Sequence, residues 1–345
     1  MDIGIDIGGS HIGVGVVSTE TGEIFIKKEK EITKREIENY KSNAIKLNTT
    51  VEDDYYFEEK VMKKYILDTI FALIKEVKEN LSFNYSLDQA MDFANRHDNK
   101  TDINEKLSQI ERIGIASPGK IENGTILDLY NLGIKKFNIK EDLEIQFKGT
   151  KVSIRNDATC AGLAEKEFGS LKNVDDGVFL CLGTGIGGSI FYNGKLLEPK
   201  KFAGAEFGHM IIEKGGKKCK CGNSGCWERY ASMKAFKNGL RKKLDCDEEL
   251  DGKELYDLFK KEYKNNKEID DYVEEYLDNV LIGIINISNI LSPEKIAIGG
   301  GFIHYKELYS RLMEKMQENK YSSFMIPQIT LAKLGNDAGL IGACL

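Results

Sequence analysis

The sequence predicts an α/β protein built from two similar lobes that face each other across a cleft. Residues 3–17 (IGIDIGGSHIGVGVV) and 180–191 (LCLGTGIGGSIF) both show an apolar strand, a glycine-rich turn and an apolar return strand. Apolar residues at helical spacing mark 61–81 and 269–291 as helices. The chain has 345 residues, enough for two domains. The two copies lie far further apart than the 20–50-residue period of a solenoid, so we expect a duplicated lobe.

The first lobe is expected to span residues 1–130. Its predicted elements are strands in 1–9, 11–19 and 23–32, a helix in 61–81 and a strand in 112–119 that ends at a Pro-Gly turn. Residues 82–111 fit this series less well, because they are polar and carry no catalytic constellation. Ser86 and Gln89 favour a short capped helix there. We interpret 82–111 as an insertion: a flap, an oligomer contact or a solvated surface excursion.

The second lobe is expected to span residues 131–329. Its predicted elements are a strand in 151–157, a small-residue helix in 158–169, the strand–turn–strand unit in 177–197, the helix in 269–291, a strand and glycine loop in 295–301, a helix in 305–318 and a strand in 328–335. The C-terminal segment, about 330–345, should return to the first lobe and end in a short closing helix, DAGLIGACL at 337–345.

Composition excludes several classes of protein. The formal net charge is -6 and the sequence pI about 5.5, which disfavours a nucleic-acid binder. No run of about 18 apolar residues predicts a membrane span, and the N-terminal MDIGIDIGG lacks the basic region of a signal peptide. We therefore expect a cytoplasmic protein. Clustered cysteines in such a compartment indicate metal ligands before disulfides.

Three glycine loops follow predicted strands, at 8–10, 183–188 and 299–301. Backbone N–H groups in such loops can face a phosphate, and Asp6 at the end of its strand could hold Mg²⁺ through water. The second loop is neither a Walker A motif nor a dinucleotide fingerprint, because a strand follows it where a helix is required. Three loops at strand ends suit a nucleotide whose phosphates and base touch separate loops.

The pair Asn156-Asp157 stands between a predicted strand and a predicted helix. Asn156 can fix a ligand hydroxyl while Asp157 accepts a proton. Such a pair is also common at helix N-caps. Beside the glycine loops we favour the catalytic interpretation.

Residues 202–232 concentrate metal-ligand residue types. His209, Cys219, Cys221 and Cys226 have the spacing H-x9-C-x-C-x4-C, which predicts a closed tetrahedral Zn²⁺ site of the structural kind. Two carboxylates flank these ligands: Glu206 precedes His209 by three residues and Glu228 follows Cys226 by two. An ion would hold both in place. The alternative is a zinc knuckle unconnected with a substrate.

Together these segments resemble the ROK family (repressor, open reading frame, kinase) of sugar kinases and sugar-responsive repressors. The resemblance is carried by DIGGS at 6–10, RND at 155–157, LGTGIGG at 182–188, GAEFGH at 204–209 and CKCGNSGCWE at 219–228. It covers nearly the whole chain apart from 82–111. It implies the actin-like, hexokinase-like fold, with a ribonuclease-H-like core in each of two lobes around a cleft, and a dimer.

The resemblance also implies residue roles. Asp157 matches the catalytic base. The positions matching sugar-binding residues are Gly119, Asn131, Asn156, Asp157, Glu206, His209 and Glu228. Those matching the two phosphate loops and the nucleoside loop are Asp6, Gly8, Gly9, Ser10, Gly183, Thr184, Gly185, Gly299 and Gly300. His209 matches a residue that binds zinc through one ring nitrogen and sugar through the other, which leaves the second N–H as a fixed donor.

The implied activity is phosphoryl transfer from ATP, with Mg²⁺, to the 6-hydroxyl of a hexose, glucose first. Fructose, mannose or an N-acetylated hexosamine are alternative substrates. A repressor would carry a DNA-binding domain before the first glycine loop, and DIGGS begins at residue 6. One departure is Ser10-His11, where many members carry Thr-Lys. Serine keeps the hydroxyl.

Overall fold

The computed structural model describes residues 1–47, 54–83, 112–129, 132–198, 205–246, 250–318 and 327–345. It divides into two compact units. Unit 1 comprises Met1–Ala164 with Asp337–Leu345, and unit 2 comprises Glu165–Asn336. Among the described residues, no helix combines the length and the apolar character needed to cross a membrane.

Unit 1 is built on a five-stranded sheet. Its strands are β1 (Asp2–Ile7), β2 (His11–Val17), β3 (Ile24–Glu31), β4 (Arg112–Ser117) and β8 (Lys151–Asn156). The order in the sheet is β3-β2-β1-β4-β8; β1 pairs antiparallel with β2, and parallel with β4, which pairs parallel with β8. The N-terminal hairpin and the strand predicted in 112–119 are thereby confirmed.

A small second sheet of unit 1 consists of β5 (Lys120–Glu122), β6 (Thr125–Leu129) and β7 (Ile134–Phe137). The described helices of unit 1 are α1 (Lys34–Leu47), α2 (Asp54–Phe83), α3 (Ile139–Gln146), α4 (Asp157–Glu167, whose last three residues belong to unit 2) and α10 (Ala338–Ala343). The apolar face of α2 packs on β2 and β3, as its helical spacing predicts.

Helix α10 packs very closely on the sheet of unit 1 because glycines face it. A Cβ placed on Gly114 of β4 would lie 1.8 Å from the carbonyl oxygen of Ala343. Conversely, a Cβ on Gly342 would lie 1.7 Å from the carbonyl oxygen of Cys160 in α4. The small residues AGLIGA of α10 therefore serve close backbone approach between the C-terminal helix, the sheet and α4.

Unit 2 is built on a second five-stranded sheet. Its strands are β9 (Gly177–Leu182), β10 (Ile186–Tyr192), β11 (Lys195–Leu196), β12 (Lys295–Gly299) and β13 (Gln328–Leu331). Its described helices are α5 (Glu228–Ala231), α6 (Met233–Lys243), α7 (Gly252–Glu262), α8 (Lys267–Leu291) and α9 (Lys306–Glu318), with 3₁₀ turns at Phe207–His209 and Gly300–His304.

Helix α8 supplies much of the core of unit 2. It starts where the side chain of Asn266 accepts a hydrogen bond from the Glu268 N–H, and it ends at Ser292 in the left-handed region before Pro293. Trp227 packs against it so tightly that a Cβ on Gly283 would lie 2.0 Å from the indole. The indole N–H donates to the Asn279 carbonyl at 2.7 Å.

The two large sheets have the same topology. The order β11-β10-β9-β12-β13 repeats β3-β2-β1-β4-β8, with the antiparallel pairs and the parallel pairs in the same places. The duplication predicted from the strand–glycine–strand repeats is therefore confirmed.

The chain passes between the units at Ala164/Glu165 and at Asn336/Asp337, whereas the sequence analysis expects the first passage near residue 130. The reason is that β8 pairs with β4 and so keeps 151–156 in unit 1. The interpretation of 82–111 as an insertion falls almost entirely on residues 84–111, which lie outside the described residues.

Candidate active site

Unit 1 gathers its predicted site residues at the carboxyl ends of three neighbouring strands. Asp6 is near the end of β1, Gly119 follows β4, and Asn156 ends β8. The carboxyl ends of parallel strands are where α/β sheets bind ligands. Asn131 lies outside the described residues.

The turn at Gly8, Gly9 and Ser10 joins β1 to β2. The Gly8 N–H donates to the His11 carbonyl at 2.8 Å, and a Cβ on Gly8 would lie 2.5 Å from the His11 imidazole. A side chain at Gly8 would therefore require the His11 imidazole to move, while Gly9 and Ser10 are exposed. Their N–H groups are available to an anion.

Asp157 is the first residue of α4, and Asn156 is its N-cap. The Asn156 Oδ1 accepts hydrogen bonds from the N–H groups of Ala158 (3.0 Å) and Thr159 (3.3 Å), and its Nδ2 donates to the Gly119 carbonyl at 3.3 Å. The capping interpretation of Asn156 is thus correct as geometry. The cap also fixes the start of α4, where Asp157 is the first helical residue.

The side chains of Asp6 and Asp157 both have raised pKa values. Burial, and to a lesser degree the nearby Asp157 carboxylate, raise the pKa of Asp6 from 3.8 to about 7, while Lys27 opposes the change. Burial likewise raises the pKa of Asp157, although the Ala158 N–H at 2.8 Å from its Oδ1 lowers it. Two partly buried carboxyl groups with raised pKa values suit a site in which Asp6 binds a cation and Asp157 transfers a proton.

Gly339 is a neighbour of Asp6 that the sequence analysis did not identify as part of the site. A Cβ placed on it would lie 3.0 Å from the Asp6 Oδ2, so α10 forms one wall beside this carboxylate. The small-residue pattern AGLIGA at 338–343 is the signal that indicates such close packing.

Unit 2 brings its two glycine loops together. Gly183–Gly185 follows β9, Gly299 ends the adjacent β12 and Gly300 comes directly after it. A Cβ on Gly300, whose φ is +73°, would lie 2.6 Å from the Leu182 carbonyl oxygen. Only a glycine fits this left-handed and crowded position. The two loops therefore form one glycine-lined surface at the strand ends.

Glu228, the first residue of α5, reaches the first of these loops. Its Oε2 accepts a hydrogen bond from the Ile186 N–H at 3.1 Å, and a Cβ on Gly185 would lie 2.3 Å from the same oxygen. One carboxylate oxygen thus supports the loop, and the other accepts no hydrogen bond from the residues that the structure describes. Sequence spacing does not reveal this contact, because 42 residues separate the two groups.

The four residues with metal-ligand spacing do converge. The ligand atoms of His209, Cys219, Cys221 and Cys226 all lie within 4.8 Å of one another. His209 Nδ1 is 3.9 Å from the Cys219 Sγ, and the Sγ atoms of Cys221 and Cys226 are 3.6 Å apart. Zn–S bonds of about 2.3 Å in a tetrahedral site place sulfurs at about this separation. The donor set fits Zn²⁺.

The imidazole of His209 has two different environments. Nδ1 lies 3.9 Å from the Cys219 Sγ, and Nε2 lies 3.9 Å from the Oε2 of Glu206, whose side chain is 56% exposed. Glu206 is the N-cap of the 3₁₀ turn Phe207–His209, and Ala205 before it adopts a left-handed φ of +57°. A metal on Nδ1 would leave Nε2–H as a donor beside a carboxylate.

The strand order and the paired glycine turns are those of the actin-like, ribonuclease-H-like class of folds. The ROK family model matches residues 97–345, and the chain belongs to this family. A glucokinase from Thermotoga maritima is 30% identical over 99% of this chain and 95% of its own length. An N-acetyl-D-glucosamine kinase from Vibrio cholerae is 28% identical over 67% of this chain and 78% of its own.

A solved structure, that of a ROK family glucokinase from Streptomyces griseus in complex with glucose and AMPPNP, has the same fold. It superposes with a TM-score of 0.70 at 23% identity, covering 99% of this chain and 97% of that one. The actin-like fold that the sequence analysis expects is confirmed.

Proposed function

We propose that this ROK protein is an ATP-dependent hexose kinase that transfers the γ-phosphoryl group of ATP to the 6-hydroxyl of a hexose, with glucose as the first candidate. The chain is a sugar kinase by its family and by its relatives. The observation that carries the reaction type is the Asp157 carboxylate, presented at the first turn of α4 beside Asp6.

In this proposal Asp157 is the general base. One carboxylate oxygen accepts the Ala158 N–H, and the other accepts the proton of the sugar hydroxyl as its oxygen attacks the γ-phosphorus. The bond from that phosphorus to the β–γ bridging oxygen breaks, and ADP leaves. Catalysis in such a transfer is mainly positioning and electrostatic stabilisation.

The nucleotide would be held by the glycine turns. The turn at Gly8, Gly9 and Ser10 in unit 1 and the turn at Gly183–Gly185 in unit 2 are candidates for binding the phosphates. In the first turn the Gly9 and Ser10 N–H groups would donate, because the Gly8 N–H already donates to the His11 carbonyl. Gly299 and Gly300 are candidates for the nucleoside. Mg²⁺ bound to ATP would neutralise charge at the phosphates, and Asp6 is the residue that would bind this ion.

The sugar hydroxyls would be bound by Asn156, Glu206, His209 and Glu228, with the backbone at Gly119 and with Asn131. Zn²⁺ on His209, Cys219, Cys221 and Cys226 would fix the imidazole so that its Nε2–H donates to a hydroxyl. In this scheme the metal is structural and stabilises the sugar-binding wall.

The alternative substrates are other hexoses. Because the relatives include an N-acetyl-D-glucosamine kinase, an acetamido sugar is a specific second candidate. Two carboxylates, Glu206 and Glu228, favour hydroxyl donors over an acetamido carbonyl, which has no proton to donate. Fructose and mannose present hydroxyls and remain candidates too. Resemblance to the family further suggests a homodimer.

The test is a panel of hexoses with ATP and Mg²⁺, read as ADP production. The wild type should turn over at least one hexose, and Asp157→Ala should lower kcat by about 10²- to 10⁴-fold while sugar affinity in calorimetry changes little. Asp257→Ala, an exposed carboxylate in unit 2, is the matched control. Wild-type turnover by Asp157→Ala would refute the assignment of the base.

A further inference from the structure

Glu165 is a fully buried carboxylate in the last part of α4 that the proposed chemistry does not use. Its exposure is 0%, and among the described residues no lysine or arginine side chain pairs with it. A buried carboxylate is costly unless hydrogen bonds replace its water. The burial of Glu165 therefore indicates a specific structural or functional role.

Four donors surround Glu165 and occupy both of its oxygens. Oε2 accepts from the Ser170 N–H at 2.6 Å and from the Ser170 Oγ at 2.7 Å. Oε1 accepts from the N–H groups of Lys333 at 2.8 Å and Leu334 at 2.7 Å. Gly169 also packs against this carboxylate, since a Cβ there would lie 2.1 Å from Oε2. An acceptor-only carboxylate is the side chain that matches four donors.

The position of Glu165 in the chain is equally specific. It is the first residue of unit 2 after the passage at Ala164/Glu165. Lys333 and Leu334, which it binds, lie just before the return passage at Asn336/Asp337. One carboxylate therefore ties together the two segments through which the chain passes between the units.

Both tied segments lead to the carboxylates of unit 1. Upstream, Asp157 is the first residue of α4, about 12 Å along the helix from Glu165 at 1.5 Å per residue. Downstream, α10 places Gly339 beside Asp6 and Gly342 against the Cys160 carbonyl of α4. The relative position of α4 and α10 thus sets the surroundings of both Asp6 and Asp157.

We propose that Glu165 is a positioning residue for phosphoryl transfer. By holding α4 to the segment that precedes α10, it fixes the placement of the Asp157 carboxylate relative to Asp6. The proposal rests on the proposed function for its kinetic part. A small displacement of a general base lowers turnover strongly, because the reaction depends on a defined geometry.

The kinetic test compares Glu165→Gln with Glu167→Gln, an exposed glutamate on the same helix that undergoes the same loss of charge. In Glu165→Gln an amide N–H₂ replaces one carboxylate oxygen, and because this group donates it cannot accept hydrogen bonds from two of the four donors. We expect kcat per folded molecule to fall at least about tenfold, with the KM values for hexose and ATP changed less than threefold, a pattern that indicates loss of transition-state stabilisation alone. Glu167→Gln should match the wild type.

Ser170→Ala removes one donor of the four and keeps the Ser170 N–H. It should fold even if Glu165→Gln does not, and its kcat should fall about two- to threefold. The proposal is overturned if Glu165→Gln lowers the melting temperature but leaves kcat per folded molecule unchanged. It is also overturned if Glu165→Gln does not fold and Ser170→Ala has wild-type kcat.

Amide hydrogen exchange separates this inference from the proposed function. Glu165→Gln, or Ser170→Ala to a lesser degree, should accelerate exchange at residues 157–164 and at Lys333 and Leu334, and Glu167→Gln should not. This readout stands even if the wild type phosphorylates no hexose, an outcome that would count against the proposed function only. Unchanged exchange in the first two turns of α4 would overturn the positioning role.

Discussion

Replacing Asp6 by asparagine should make unit 1 more stable near pH 8 while it abolishes catalysis. Asp6 is held at the end of β1 with its pKa raised to about 7 by burial and by the Asp157 carboxylate. Ionised Asp6 is therefore unfavourable in the folded protein. Asparagine has nearly the same shape and never ionises, so it removes that unfavourable charge.

The sign and the magnitude follow from proton linkage. Between the unfolded pKa of 3.8 and the folded value of about 7, the folded state retains a proton that the unfolded state has released. The contribution of Asp6 to stability is thus fully present below about pH 4 and is lost as pH rises through 7. A shift of about three units corresponds to at most about 4 kcal/mol. Asp6→Asn should gain most of this at pH 8 and almost nothing at pH 4.

The assay is urea unfolding at several values from pH 5 to pH 8, without Mg²⁺ and without a chelator that would remove zinc. Far-UV circular dichroism reports both units. The single tryptophan, Trp227, lies in unit 2 and its fluorescence reports that unit. Glu23→Gln, an exposed change in unit 1, is the control. The reasoning fails if Asp6→Asn and the wild type lose stability in parallel across this range, or if the variant is the less stable at pH 8.

Two further predictions concern unit 2. A strong chelator should remove one zinc ion per chain and abolish sugar binding. It should also change the fluorescence of Trp227, because this residue follows the proposed ligand Cys226. Unchanged Trp227 emission after the chelator is added would contradict the metal site. Gly185→Ala should displace the Glu228 carboxylate, because its Cβ would lie 2.3 Å from Oε2, and should raise KM for both hexose and ATP about tenfold or more. At Gly183 a Cβ would find its nearest neighbour only at 3.8 Å, so Gly183→Ala should have a much smaller effect; equal kinetics of the two variants would exclude the Glu228 contact as the cause.

The elements and the duplication were predictable because their signals are local. Alternating apolar residues and glycine turns mark β1–β2 and β9–β10, and the two sheets then repeat one strand order. The convergence of the four candidate metal ligands was predictable for the same reason, since three of them lie within eight residues, Cys219 to Cys226.

The boundary between the units was harder to predict because no break in composition marks it. The chain passes from unit 1 to unit 2 inside the continuous helix α4, with no glycine, proline or loop at Ala164/Glu165. Only the pairing of β8 with β4 assigns 151–156 to unit 1. Strand pairing between distant segments is decided by the whole sheet.

The contacts that support the site were also beyond the sequence. The Glu228 contact with the Ile186 N–H and the Glu165 contacts with the Lys333 and Leu334 N–H groups join segments 42 to 169 residues apart. Backbone N–H groups carry no sequence signal, because nearly every residue type has one. The roles assigned to individual site residues stay predictions that kinetics will decide.

The placement of residues 337–345 in unit 1 has a consequence for biosynthesis. A ribosome makes these residues after the whole of unit 2. Until then α10 is missing, and the face of the unit 1 sheet at Gly114, which α10 covers in the complete chain, is exposed to water. Unit 2, a continuous segment, can acquire its structure during translation. We therefore expect that, in nascent chains stalled before residue 337, unit 2 resists proteolysis better than unit 1, although most of unit 1 precedes unit 2 in the sequence.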